Sequence, residues 1–120
     1  MTLREKQSLF AELVAQLIIH AGVQGYEVTL GEAYRSPEEA ARLAKTGAGI
    51  KASLHTDRLA IDLNLFKDGR WLRSSEAHRP LGVWWENLHE LCRWGGRFKD
   101  SQGRPKPDGN HYSLTHEGRA

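Results

Sequence analysis

One cysteine, Cys92, stands in a chain of 120 residues. A single thiol closes no intramolecular disulfide and builds no zinc ribbon or redox pair, so any metal has to be held by histidine and carboxylate. Long apolar runs are missing too. Nothing approaches the roughly 20 consecutive apolar residues that span a bilayer, and the opening stretch MTLREKQSLFAELVAQLIIHAG is interrupted by Glu5, Gln7, Glu12 and Gln16, unlike the apolar core of a Sec signal. The expectation is a chain made soluble in the cytoplasm, without stable membrane insertion, whose export, if any, is arranged by something else. Charge of one sign is scarce: a net +2 with a pI near 8.9 is too mild to argue for a nucleic-acid partner, although it suits an anionic polymer. Internal repeats, low-complexity tracts and linkers are absent. The composition, 39% hydrophobic and 27% charged, is that of a globular chain, so residues 1–120 read as one domain able to bury roughly two-thirds of its unfolded surface.

What is present is hydrophobic rhythm. Leu9, Phe10, Leu13, Val14, Leu17 and Ile18 recur at helical spacing up to a stop near Gly22. Tyr26, Val28 and Leu30 alternate as a short strand that runs out near Gly31. Ser36-Pro37-Glu38-Glu39 predicts a capped helix to about Lys45, with Ser36 and Glu39 forming a capping box, and Gly47 and Gly49 open a loop toward Ser53 and His55. From Leu59 to Phe66 the period is two: Leu59, Ile61, Leu63 and Leu65 share one face, while Ala60, Asp62, Asn64 and Phe66 share the other. Asp68-Gly69 signals a hairpin returning through Trp71 and Leu72. Leu81, Trp84, Trp85, Leu88 and Leu91 predict a second long core helix from Pro80 through Cys92, ended by Gly95-Gly96. Residues 97–110 read as an irregular loop before a last strand at His111-Tyr112-Ser113-Leu114.

These elements bring three ligands to strand edges: His55, Asp62 and His111. Seven residues is the wrong parity for His55 and Asp62 to share one face of a regular strand, so His55 enters from the loop. Two imidazoles and a carboxylate are a set for one zinc ion that leaves a fourth position to water, whose pKa such an ion brings from 15.7 toward about 7. The same donors suit several divalent ions, zinc being favoured. Asp108, three residues before His111 in the turn Asp108-Gly109-Asn110, is placed to accept the water's proton as general base. Any one of these residues alone would more often be structural or solvated; the cluster is informative.

The ordered set Ser53-x-His55, Ala60-x-Asp62 and Asp108-x-x-His111 resembles the zinc peptidases that cut D-Ala-D-Ala or L-Ala-D-Glu bonds of peptidoglycan, with Tyr34-Arg35-Ser36 and Arg93-Trp94-Gly95-Gly96-Arg97-Phe98 resembling two further segments of that family. The resemblance implies a small α+β fold of the hedgehog and D-Ala-D-Ala peptidase kind: a short antiparallel sheet carrying the metal ligands, with helices packed against it. It implies Arg35 in the substrate cleft, where a guanidinium binds a carboxylate or an oxyanion, although an arginine before a capped helix is as often a surface residue. Ser53 either hydrogen-bonds near the metal or shapes the loop. Trp94, beside two glycines, is expected to line the cleft, whereas Trp84 and Trp85 belong to the core. His20, His78, His89 and His116 are expected in solvated or supporting roles, and Arg97, Lys99, Arg104 and Lys106 on a solvated loop face.

Asp rather than Glu before the last histidine resembles the phage endolysin branch, which implies cleavage of the L-alanyl-D-glutamate bond of the stem peptide by a protein that reaches the wall after a holin opens the membrane; the expected state is a monomer. The family's glycine is replaced by Arg58, so either the local turn differs or Arg58 sits at the cleft rim. A D-Ala-D-Ala carboxypeptidase, a noncatalytic wall-binding module that keeps the metal for stability, and a metal-dependent nuclease built on Asn110-His111 are the competing readings.

Overall fold

The computed structural model describes residues 1–47 and 53–120. Gly49, expected to help open the loop before Ser53, lies outside the described residues. Helix α1 (Leu3–Val23) starts with a complete capping box between Thr2 and Glu5 and buries Phe10, Leu13, Val14, Leu17 and Ala21 along one stripe. Strand β1 (Glu27–Leu30) is followed by helix α2 (Pro37–Thr46), capped by the Ser36 hydroxyl accepting from the Glu39 N–H. Only that half of the expected box forms, because the Glu39 carboxylate accepts from Arg42 instead. Strands β2 (Ala60–Lys67) and β3 (Arg70–Leu72) are joined through Asp68 and Gly69, both at positive φ, as a tight hairpin of matching twist requires.

Helix α3 (Arg79–Leu88) is shorter than its apolar spacing predicts. His89 is extended, and Cys92 belongs to strand β4 (Cys92–Trp94), paired with Leu114 of strand β5 (His111–Leu114). Tertiary hydrogen bonding overrides the periodicity there: the Trp85 indole N–H is shared between the carbonyls of Arg93 and Ser113, and the Leu91 N–H is taken by His89 Nδ1.

All strand pairs are antiparallel, in the order β1-β2-β5-β4, with β3 pairing the far half of β2. The long strand β2 divides the molecule by its alternation. Ile61, Leu63 and Leu65 face a core shared with α1, α3, Trp94, Tyr112 and Leu114. Asp62 and Asn64 face the opposite side, half-buried, where the loops gather.

Candidate active site

Asp62 of β2 and His111 of β5 are direct cross-strand partners. The Asp62 N–H and C=O bond outward to Glu32 and Gly31, while the β2–β5 ladder closes on either side, as in the Leu63 N–H to Asn110 C=O bond. The pair therefore occupies the narrow, non-hydrogen-bonded position of an antiparallel ladder, where side chains approach most closely. His55 comes from a different direction, as its parity demands. It sits on a 3-10 turn (Leu54–Asp57) whose first N–H groups are met by Ser53: the buried Ser53 hydroxyl accepts from the His55 N–H at 3.2 Å. Of the two roles open to Ser53, shaping the turn is the one its contacts show.

The three side chains meet. His55 Nε2 lies 3.4 Å and His111 Nδ1 3.7 Å from the same Asp62 Oδ1, and one donor atom from each residue falls within 4.8 Å of the others. Tetrahedral ligands at about 2.0–2.2 Å from an ion stand about 3.3–3.6 Å apart, so these separations are close to those of a ligand set. The chemistry of the atoms agrees. His55 Nδ1 lies 3.1 Å from the Ala33 carbonyl, which selects the tautomer that donates there and turns the Nε2 lone pair toward Asp62. Two lone pairs facing each other need a proton or a cation between them, and Asp62 Oδ1 is buried without a hydrogen-bond partner. His55, Asp62 and His111 could hold a metal ion.

Electrostatics at the site reflect the same crowding. Burial opposes the charge on Asp62, but the adjacent imidazoles of His111 and His55 outweigh it and hold the carboxyl at about 2. Burial likewise opposes protonation of His55, yet Asp62 and the Ala33 carbonyl raise its pKa above the ordinary value. Asp108 stands apart from that trio, with Oδ2 3.9 Å from His111 Nδ1 and its side chain 55% exposed. Desolvation, joined by the charge of Asp62, raises its carboxyl above the usual range despite the opposing pull of His111.

Arg35 lies at this site but not loose in it. Its N–H donates to the His55 carbonyl, its largely covered side chain pairs with Glu32, and its charge is felt at both His55 and Asp108. Glu32, which the sequence reading missed, holds that guanidinium while its own backbone carbonyl accepts from the Asp62 N–H. Extending the β1–β2 register past Leu30 would have placed residues 31 and 32 beside Asp62.

Trp94 corrects an expectation. It is 1% exposed and lines no cleft: its ring is clamped where a Cβ at Gly82 or Gly96 would come within 2.2 Å of it. The neighbouring glycine makes room for the indole rather than opening the surface. The Trp94 indole N–H donates to the Gly109 carbonyl at 2.7 Å, so it supports from below the turn that carries Asp108. His78 also departs from the solvated role open to it, being buried with Nδ1 2.8 Å from the Tyr112 hydroxyl. At Arg58 the backbone keeps the left-handed conformation (φ 57°) that glycine favours, and the exposed guanidinium stacks 4.1 Å above the Tyr34 ring.

No family model and no curated protein matches the chain in sequence. Solved structures do match it in fold, and both of those named here are peptidases. The L-Ala D-Glu endopeptidase ChiX of Serratia marcescens superposes with a TM-score of 0.67 at 21% identity, over 88% of this chain and 79% of that one. A mutant of the vancomycin resistance D,D-pentapeptidase VanY from the VanB-type cassette, solved in complex with Zn(II), superposes with a TM-score of 0.57 at 18% identity, over 88% of this chain and 70% of that one. At such identities the likeness is one of fold, and it bears out the expected antiparallel sheet with packed helices.

Proposed function

We propose that the chain is a zinc-dependent peptidase of peptidoglycan that cuts the stem peptide at the L-alanyl-D-glutamate bond. The observation that carries this reading is the convergence of two imidazole nitrogens on an otherwise unpartnered carboxylate oxygen, with a second carboxylate, Asp108, beside the same His111. The shared fold with ChiX supports the choice of bond. His55, Asp62 and His111 would hold the ion, which when bound would polarise the scissile carbonyl and acidify the attacking water. Asp108 takes the water's proton and returns it to the departing amine; its raised pKa and half-exposed position suit both steps. Arg35, held by Glu32, offers its guanidinium to the oxygen on which negative charge develops.

Digestion of purified peptidoglycan with and without a chelator, followed by mass spectrometry of the new ends, tests this. New free amino groups on D-Glu are expected. Release of D-Ala would move the cut to the D-Ala-D-Ala bond, and no chelator-sensitive cleavage would overturn the peptidase reading. Asp108→Ala should keep zinc and lose turnover; retained turnover would remove Asp108 from the mechanism. The endolysin role belongs to the same proposal, and lysis that depends on a co-expressed holin is its test.

A further inference from the structure

A cavity of ≈ 230 Å³ opens directly beside the candidate metal cluster, lined by Asn64, Trp71, Arg73, Asp108 and Asn110, with the buried His78 at its wall. Asn64 is two residues beyond Asp62 on the same strand face, and Asn110 immediately precedes His111, so the cavity continues the ligand-bearing face of the sheet. Asp108 belongs to both places: it lines the cavity and lies 3.9 Å from His111 Nδ1. On the mechanism proposed above, the group that returns a proton must reach the departing nitrogen. The amine-side half of the substrate therefore lies on the Asp108 side, in this cavity.

The chemistry of the lining says what that half carries. Two carboxamides, from Asn64 and Asn110, offer donors and acceptors to a peptide. Arg73 supplies positive charge to the lining, its guanidinium 4.7 Å from the centre of the half-exposed Trp71 ring, and no carboxylate among the described residues pairs with it. A planar cation laid on an aromatic ring is pre-organised to take a carboxylate through two parallel hydrogen bonds. Asp108, in the same lining, repels a carboxylate and so favours its placement at Arg73. The volume is below the roughly 300 Å³ at which drug-sized ligand pockets begin, which suits a single amino-acid residue.

We infer that this cavity is the amine-side subsite and that Arg73, stacked on Trp71, reads a carboxylate on the carbon attached to the departing nitrogen. This rests on the proposed peptidase function. A γ-linked D-glutamyl residue carries its free α-carboxylate on that carbon, and a C-terminal D-alanine carries its terminal carboxylate there, so the subsite serves either scissile bond. A stem peptide whose glutamyl α-carboxylate is amidated should be a poor substrate.

Two measurements on the zinc-loaded protein test the subsite and the reaction separately. In the first, D-γ-glutamyl-L-lysine and its α-carboxamide counterpart are titrated while the Trp71 indole N–H is followed by NMR, with Trp71→Phe assigning the signal. The carboxylate ligand should shift that signal and bind about 10-fold or more tighter than the amide, a gap that Arg73→Gln abolishes. Equal affinities in the unsubstituted protein, or a gap that survives Arg73→Gln, would overturn the subsite. In the second, stem peptides with a free or amidated glutamyl carboxylate are offered as substrates. Arg73→Gln should raise KM for the free acid about 10-fold with kcat little changed. Binding that discriminates without any turnover would sink the peptidase reading and leave Arg73 only as a carboxylate-binding residue, whereas turnover indifferent to the carboxylate would overturn the subsite and leave the peptidase reading standing.

Discussion

Replacing Gly95 by alanine should damage the site through sterics alone. A Cβ on Gly95 would stand 2.1 Å from the Asp108 carbonyl oxygen and 2.8 Å from His111 Cβ, and neither is the yielding tip of a long side chain. The Gly95 carbonyl also accepts the Asp108 N–H at 2.8 Å. Alanine must push away the turn that carries both residues. Overpacking of this kind costs about 1–3 kcal/mol, and loss of the hydrogen bond adds about 0.5–1.5 kcal/mol, so Gly95→Ala should destabilise the protein by about 2–4 kcal/mol. Ligand distances tolerate only about 0.2 Å of error, and disturbed support of a ligand commonly lowers metal affinity about 10- to 100-fold. Urea unfolding of the metal-free protein reads the first effect and competitive zinc titration the second. Gly22, in the last turn of α1 with nothing within 4 Å of its would-be Cβ, is the control; Gly22→Ala should gain about 0.5–1 kcal/mol from helix propensity. A Gly95→Ala protein with the original unfolding midpoint and zinc affinity would refute the steric reasoning.

Other perturbations discriminate the remaining claims. In the metal-free protein, Asp62, held at about 2 against an ordinary 3.8, contributes stability that is present above pH 3.8 and lost as pH falls toward 2. His55, raised above 6.5, contributes stability that is full below that pH and is lost as pH rises through its folded pKa. The urea midpoint without metal should therefore peak between those limits. Zinc needs unprotonated imidazoles, so its increment to Tm should grow from about pH 5 to about pH 7.5; a pH-independent increment would argue against histidine ligation. Tyr112→Phe leaves the buried His78 Nδ1 without its 2.8 Å partner and should cost about 1–3 kcal/mol in urea unfolding, with zinc affinity unchanged. Arg58→Ala keeps the left-handed strain and loses the Tyr34 stack, for a loss of about 0.5–1 kcal/mol. Arg58→Gly relieves the strain and should be more stable than Arg58→Ala; the opposite order in thermal melts would show that backbone conformation does not govern this position.

Legibility from sequence depended on whether a local rhythm or a distant partner decides the conformation. The alternation from Leu59 to Phe66 was readable because Leu59, Ile61, Leu63 and Leu65 make an unbroken apolar row, and it placed Asp62 on the open face. The parity between His55 and Asp62 correctly excluded a shared strand. The end of α3 was not readable: Leu91 continues the helical spacing, but the chain turns extended at His89 so that Cys92 can pair with Leu114. Trp94 was misjudged because a glycine beside an aromatic has two opposite meanings, an open surface or a slot cut for the ring, and only the Gly82 contact across the core distinguishes them. Glu32 carries no motif, and its place follows from strand register alone.

The register of Asp62 against His111 also sets an order of events. Asp62 and His55 are synthesised well before the strand that carries His111, so the earlier part of the chain offers only two of the three donors. A one-residue slip of β5 would turn His111 into the core and Tyr112 out of it, undoing the ligand set and the packing together. Capture of an ion by all three donors would therefore report that the last strand has docked, and in the right frame.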